Sequence, residues 1–389
     1  MADLLTSDLR TTDPAAASPA TAGPATAGPA ARRAVLAERI AEAGIDALLV
    51  TDLTNIRYLT GFTGSNAALL IRAAGAVDES AIFATDGRYE TQSAEQLPEL
   101  RRIIDRTCDR ALITLAGGRV GFESNAVSYA GHRALGDAVA APPEKIQLVP
   151  TVDLVESGRA IKDSAEIDAL GRAGAVADQA FADLIAAGGV RSGRTEREIG
   201  LDLDQRMRLL GAVDPAFPTI VAAGRNSAVP HHQPTDIAAQ PGDLVKLDFG
   251  AEVAGYHSDM TRTVVLGPPA GWQQEIHQLV AAAQQAGRDA IRPGASGHQV
   301  DSAARSVIEA GGHGEHFIHG LGHGIGLQIH EAPALGPDST AIMAADMCVT
   351  VEPGIYLPDL GGVRIEDSGV VRPDGYRVLT MTTKELLVL

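Results

Sequence analysis

Aromatic side chains are scarce in this chain: one Trp, six Tyr and seven Phe among 389 residues. Val, Leu, Ile and Ala must therefore pack its cores, and a hydrophobic fraction of 45% supplies enough of them. Cysteine is scarcer still. Cys108 and Cys348 stand far apart, which argues against a disulfide framework and fits a reducing cytosol. Cys348 lies in an apolar run and reads as a buried, inert thiol. Positive charge is in the minority, 32 Lys and Arg against 49 Asp and Glu, for a net charge of −17. With no basic stripe to neutralise phosphates, a nucleic-acid partner is not expected, nor a polybasic membrane contact. No apolar run approaches the length of a membrane span. The N-terminus carries Asp3, Asp8 and Asp13 and lacks the basic and apolar regions of a signal peptide. A cytoplasmic protein is expected.

The length suits two domains. Residues 1–30 form a low-complexity stretch in which Thr-Ala-Gly-Pro-Ala occurs twice, from Thr21 and from Thr26. Small residues and repeated Pro cannot offset the entropy of ordering, so a disordered tail is expected there, with ordered structure starting near Arg32. Residues 31–155 alternate helical and strand patterns and read as an α/β domain. A helix over 34–43 stops at Gly44, and strands follow over 47–51, 66–71, 81–85 and 119–123. Residues 156–389 read as α+β. A long helix over 162–187 has Asp163 or Ser164 as its N-cap. A second helix over 195–210 opens on a possible capping box of Thr195 and Glu198. Helices over 272–290 and 298–310 precede a region of strands and loops.

The stretch from Leu244 to Thr263 organises that second half. It reads as two strands joined by a short turn with Gly255 near the tip. Closure between Val253 and Ala254 would set Asp248 opposite Asp259. Like charges facing each other across a ladder are destabilising, and a cation between them would remove the problem. The alternative is that both point to solvent on different faces. A second acid pair, Glu352 and Glu366, stands in β-branched runs on either side of the turn-rich segment 357–362. Between the pairs lies His319-Gly-Leu-Gly-His323-Gly-Ile-Gly-Leu-Gln-Ile-His330-Glu, in which the apolar segment 325–329 reads as a strand. Four carboxylates and one imidazole on neighbouring strands would suit two hard or borderline divalent ions, Mn(II) before Zn(II).

At these residues the chain resembles the metallopeptidase family that includes methionine aminopeptidase, aminopeptidase P and prolidase. The matching motifs are Leu247-Asp248-Phe-Gly, Ser258-Asp259-Met-Thr-Arg, Gly322-His323-Gly-Ile-Gly-Leu, Ile329-His330-Glu, Val351-Glu352-Pro-Gly and Arg364-Ile-Glu366-Asp. Upstream, Asn55-Ile-Arg-Tyr-Leu-Thr-Gly-Phe and Thr85-Asp-Gly-Arg-Tyr resemble the creatinase-type domain of Xaa-Pro peptidases, which methionine aminopeptidases lack. The likeness runs from about residue 32 to the end and is greatest to cytoplasmic Xaa-Pro peptidases of the PepQ type. It implies a pita-bread catalytic domain behind a creatinase-type domain, and a proline-containing peptide as substrate. It also implies two divalent ions, with Mn(II) first and Co(II) or Zn(II) as alternatives, and a homodimer. Asp248 would hold the second metal, Asp259 and Glu366 would bridge, and His323 and Glu352 would hold the first. Glu352 would also shuttle a proton. His231 and His330 would touch the substrate, and Arg364 would orient a metal-binding carboxylate.

Other readings of the same residues are weaker. His319 and His323 at helical spacing could face one zinc, but Gly320, Gly322 and Gly324 make a helix improbable. Gly322-His-Gly-Ile-Gly lacks the Lys-Ser/Thr ending of a phosphate loop. His232 should face away from His231 and His257 should be exposed, while Glu331 and Asp367 read as structural. A non-peptidase on the same fold, either a metal-free creatinase-like hydrolase or a binding protein, would have no use for all five ligands.

Overall fold

A computed structural model describes residues 28–76, 81–140 and 146–389. The predicted tail lies outside the described residues up to position 27. Its last three residues do not: helix α1 spans Gly28–Glu42, starting four residues before the expected Arg32. The Gly28 N–H donates to Asp163 Oδ2 at 3.2 Å, so a contact distant in sequence anchors the first turn.

The first part of the chain builds a six-stranded sheet. Its strands are β1 (Ala47–Val50), β2 (Ala67–Arg72), β3 (Ile82–Thr85), β4 (Arg101–Ile104), β5 (Gly118–Glu123) and β6 (Ile146–Thr151), in spatial order β4-β3-β2-β1-β5-β6. β1 runs antiparallel to β2 and parallel to β5. Alternate residues of β1 enter opposite cores. Leu48 and Val50 meet Leu36 and Ile40 of α1 and Ile56 and Leu59 of α2 (Leu53–Thr60). Ala47 and Leu49 meet Cys108 and Leu112 of α3 (Cys108–Ile113). A sheet covered on both faces explains why its strands read as unbroken apolar runs.

A short helix, α4 (Glu156–Arg159), leads to α5 (Ser164–Ala186) and α6 (Glu196–Leu209). Both long helices open on capping boxes, Asp163 with Glu166 and Thr195 with Glu198, and the first decides between the two candidate N-caps. They pack on a three-stranded sheet of β7 (Ile220–Ala223), β8 (Leu244–Phe249) and β9 (Met260–Val265). Two further helices, α7 (Gly271–Ala290) and α8 (Gly297–Ala310), precede β10 (Gly322–Gly324), β11 (Glu331–Leu335), β12 (Cys348–Val351), β13 (Gly354–Leu357), β14 (Gly361–Arg364) and β15 (Asp367–Arg372), and share a core with β11 through β15. Two helix pairs thus flank curved antiparallel strands. Among the described residues no helix is long and apolar enough to cross a membrane.

Two local expectations are corrected. The β8–β9 hairpin turns one residue later than expected, at Ala254-Gly255, both with positive φ (54° and 86°). Val253 pairs with Tyr256, and Asp248 lies opposite Thr261 rather than Asp259. Because residues two apart share a face, Asp259 still lies on Asp248's side of the ribbon, displaced diagonally. The segment 325–329, expected as a strand, is a run of bends joining β10 to β11.

Candidate metal centre

Strand alternation aims the acidic residues. Val245, Leu247 and Phe249 enter the core under α5 and α6. Lys246 and Asp248 therefore face the other way, away from α5 and α6. β12 pairs with β15, and β13 with β14, in one continuous register. Glu352 and Glu366 sit at the junction of the two ladders, where that register sets them opposite each other. His323 occupies the middle of β10, flanked by glycines at which any side chain would meet neighbouring backbone. A Cβ on Gly322 would lie 2.2 Å from Thr350 O, and one on Gly324 2.1 Å from Ala332 O. Only bare backbone lets β10 fit between β11 and β12 and bring the imidazole to the acids.

Asp259, His323 and Glu366 offer ligand atoms within 4.8 Å of one another. His323 Nε2 lies 3.6 Å from Asp259 Oδ2 and 3.5 Å from Glu352 Oε1. Its Nδ1 faces the Gly324 carbonyl at 3.0 Å and carries the proton, so Nε2 presents its lone pair to the acids. Asp248 stands apart from this trio and is held by Arg364 Nη2. The same guanidinium donates through Nε to Thr261 Oγ1 at 3.0 Å and through Nη1 to Tyr356 OH at 2.9 Å and Pro230 O at 3.1 Å. Arg364 thus orients one carboxylate through a single nitrogen and spends its remaining donors on the surrounding frame.

The charge balance of the cluster is unfavourable. Asp248, Asp259 and Glu366 are buried, Glu352 is nearly so, and Arg364 is the one guanidinium among them. Burial, reinforced by neighbouring carboxylates, drives Asp259 and Glu366 well above the usual carboxylate range and Glu352 up to about 8. Burial lowers His323 to about 4. Asp248 Oδ1, Asp259 Oδ1 and Glu366 Oε1 are, among the described residues, the only buried carboxylate oxygens without a protein donor. Unpartnered carboxylate oxygens in a cluster that also presents an imidazole lone pair fit divalent cations, which would reverse the local preference for protonation.

The predicted substrate residues surround this cluster. The His330 ring stands nearly perpendicular to His323, with centroids 4.4 Å apart. Partial burial, with the neighbouring His231, lowers its pKa. His231 is exposed, on a loop tied down from two sides. Lys246 Nζ donates to the carbonyls of Ser227, Val229 and Pro230, and Glu196 accepts from Ala223 N, Asn226, Thr235 and His232. His232 therefore faces away from the centre, as alternation predicts. His257 is half-buried against Gly326 O rather than exposed, because the hairpin tip folds onto the 325–330 loop. Glu331 and Asp367 are in buried ion pairs, with Arg159 and Lys162 and with Arg262 and Lys384.

Three participants were missed from sequence. Tyr356 joins Arg364 to His319 Nε2, which lies 2.9 Å from its hydroxyl. Thr261 donates to Glu366 Oε2 at 2.7 Å, and Thr350 Oγ1 accepts from His323 N at 3.1 Å. Thr261 follows Asp259 by two residues and Thr350 precedes Glu352 by two, so period-2 reading of the motifs would have found both.

Pairs of helices around antiparallel strands, with a buried acid cluster and an imidazole between them, define a candidate site for divalent cations. Residues 168–373 match the model of metallopeptidase family M24, and residues 32–161 that of the creatinase/prolidase N-terminal domain. The chain belongs to the M24 metallopeptidase family, with the pita-bread domain behind a creatinase-type domain. An uncharacterized peptidase, YqhT, of Bacillus subtilis is 41% identical over 360 residues, covering 91% of this chain and 99% of that one. The solved Xaa-Pro dipeptidase from Bacillus anthracis superposes with a TM-score of 0.86 at 37% identity, covering 92% of this chain and 100% of that one. An X-Pro aminopeptidase from Thermotoga maritima gives 0.83 at 33% identity, covering 92% and 99%.

Proposed function

We propose that this metallopeptidase hydrolyses the bond between an N-terminal residue and a following proline, in dipeptides or longer peptides. The observation that carries a dinuclear site is a buried cluster in which Asp259, His323 and Glu366 offer ligand atoms within 4.8 Å of one another, and in which Asp248, Asp259 and Glu366 each keep one carboxylate oxygen without a protein donor. Asp248, Asp259, His323, Glu352 and Glu366 are the proposed ligands, and an oxygen-rich set with one nitrogen favours Mn(II). Two divalent ions held there would supply the charge that acidifies a water and polarises the scissile carbonyl. Glu352 is the proposed proton carrier, taking a proton from the attacking water and delivering it to the departing nitrogen. His330 and His231 are the proposed contacts to the carbonyl and the proline side. Arg364 holds and orients Asp248.

Proline specificity is supported by the names of the relatives, an Xaa-Pro dipeptidase and an X-Pro aminopeptidase. Physically, the amide before proline has no N–H, so a cleft shaped for it need not supply an acceptor there. The two buried free thiols fit a cytoplasmic location. A homodimer is part of the same reading and is tested by sedimentation. The decisive assay compares Ala-Pro, Ala-Pro-Ala and Ala-Ala with Mn(II) added. Cleavage of the proline peptides alone is expected, and the relative rates on the first two report the preferred length. Equal turnover of Ala-Ala and Ala-Pro would end the proline reading.

A further inference from the structure

The loop between His323 and His330 is gripped from outside the catalytic sheet. Leu327 is 7% exposed and packs in the same core as Ile56, Leu59 and Phe62 of the creatinase-type domain. At the end of the loop, Glu331 follows His330 directly, and its side chain is only 5% exposed. Its carboxylate accepts from Arg159 Nη2, from Lys162 Nζ at 3.1 Å and from the Gln328 backbone N–H at 3.0 Å. Arg159 lies on α4, the helix linking the two domains, and is 4% exposed. It donates a second bond from Nη2 to Gln328 Oε1 at 2.8 Å and one from Nη1 to Asn55 Oδ1 at 2.8 Å. Asn55, fully buried on α2, passes the chain on to Glu123 Oε1 at 2.8 Å and Glu156 Oε1 at 2.7 Å. Glu123, at the end of β5, is fixed in turn by the N–H groups of Thr51 and Asp52.

We propose that Arg159 is a positioning residue for His330: through Glu331 and Gln328 it fixes the His330 loop to Asn55, so that the creatinase-type domain of the same chain sets the substrate histidine. The inference rests on the role assigned to His330 above. The guanidinium is suited to the task because its planar fork serves three acceptors at once, where an ammonium presents a point charge on a flexible stem. Lys162 already neutralises Glu331 from the other side, so charge alone does not call for an arginine at position 159. The bonds to Asn55 and Gln328 do, because both tie one loop to a separate domain.

The test is a double-mutant cycle in full-length, Mn(II)-loaded enzyme, reading kcat, KM and metal stoichiometry on Ala-Pro. Arg159→Lys keeps the buried charge and loses the fork. It should lower kcat by about 10–100-fold, the range for removing a group that orients a functional side chain, with metal content unchanged. In the His330→Ala background the same substitution should cost little more, because the residue it positions is gone. If Arg159→Lys does not fold, Asn55→Ser removes the link from Arg159 to α2, together with the Asn55 bonds to Glu123 and Glu156, while leaving Arg159 on Glu331 and Gln328, and should reproduce the pattern at smaller amplitude. Two outcomes overturn the inference with the site reading intact: wild-type kcat in the arginine variant beside an impaired His330→Ala, or effects that multiply independently in the double variant. Wild-type turnover in His330→Ala itself would instead remove the catalytic reading of that histidine, and the inference with it.

Discussion

At the residue scale, the centre separates side chains that hold cations from those that handle substrate, and each kind fails differently. His323 directs its lone pair at Asp259 and Glu352, so His323→Ala should empty a metal position. His330 lies against the edge of that ring and has no carboxylate partner among the described contacts. His330→Ala should keep its metal and lose roughly 10²–10³ in kcat, as when a donor to a developing oxyanion is removed. Metal analysis and kcat on both variants decide the matter; a metal-poor His330→Ala rescued by excess Mn(II) would make it a ligand. The acids make a second prediction. In the metal-free protein, burial pushes Glu352 up to about 8, and burial with neighbouring carboxylates raises Asp259 and Glu366 well above the usual carboxylate range, which favours protons on the cluster. Below pH 8 an incoming cation must displace those protons. Mn(II) affinity should therefore rise with pH up to about 8, and titration calorimetry in buffers of different ionisation enthalpy should register proton release. In Asp259→Asn both the release and the affinity should fall. A pH-independent affinity between 6 and 8 would show that the cluster is already ionised without metal.

At the element scale, β10 is the tightest constraint. Its three residues lie between β11 and β12, and the oxygen of Thr350 lies where a Cβ on Gly322 would project. Backbone rather than a flexible side chain meets the methyl, so Gly322→Ala must separate the strands that carry His323 and Glu352. An overpacking cost of about 1–3 kcal/mol is expected in denaturant unfolding, together with weaker metal binding. Gly255→Ala provides a contrasting control, since its Cβ would meet the far end of Arg57, which can move. Its cost should come mainly from the positive φ of 86°. What the sequence made legible also divides at this scale. Period-2 alternation and the acid spacing located both ribbons and the identity of the five candidate ligands. The turn at Ala254-Gly255 was misplaced by one residue because a non-glycine residue takes positive φ there, and nothing local marks Ala254 for it. The 325–329 segment imitated a strand because Ile325 and Leu327 are apolar. They are apolar because two different cores receive them, Ile325 beneath β12 and Leu327 in the other domain.

At the scale of the whole molecule, the unreadable part was the joint. Asn55, Arg159 and Glu331 are distant in sequence, and polar residues look solvated until the fold buries them together. The same holds for the N-terminus. Arg32 reaches Asp163 Oδ2 at 2.7 Å and Glu166 Oε2 at 3.1 Å, and Glu166 accepts from Tyr256 OH at 2.9 Å, so α1, the capping box of α5 and the hairpin tip share one buried cluster. Truncation should therefore have a sharp boundary. Residues 1–26 have the composition of a chain that cannot bury enough surface to order itself, and removing them should leave Ala-Pro turnover and the unfolding midpoint essentially unchanged. Removing residues 1–33 takes Arg32 as well and leaves Asp163 and Glu166 without their guanidinium. Breaking a buried pair on one side costs about 3–5 kcal/mol, because the remaining charge has no compensation. The longer deletion should lower the midpoint of denaturant unfolding accordingly, and Arg32→Met in the full chain should reproduce most of that loss. A large loss on removing 1–26 would show that the low-complexity segment is part of the fold; a silent Arg32→Met would show that the Asp163 and Glu166 carboxylates are satisfied without it.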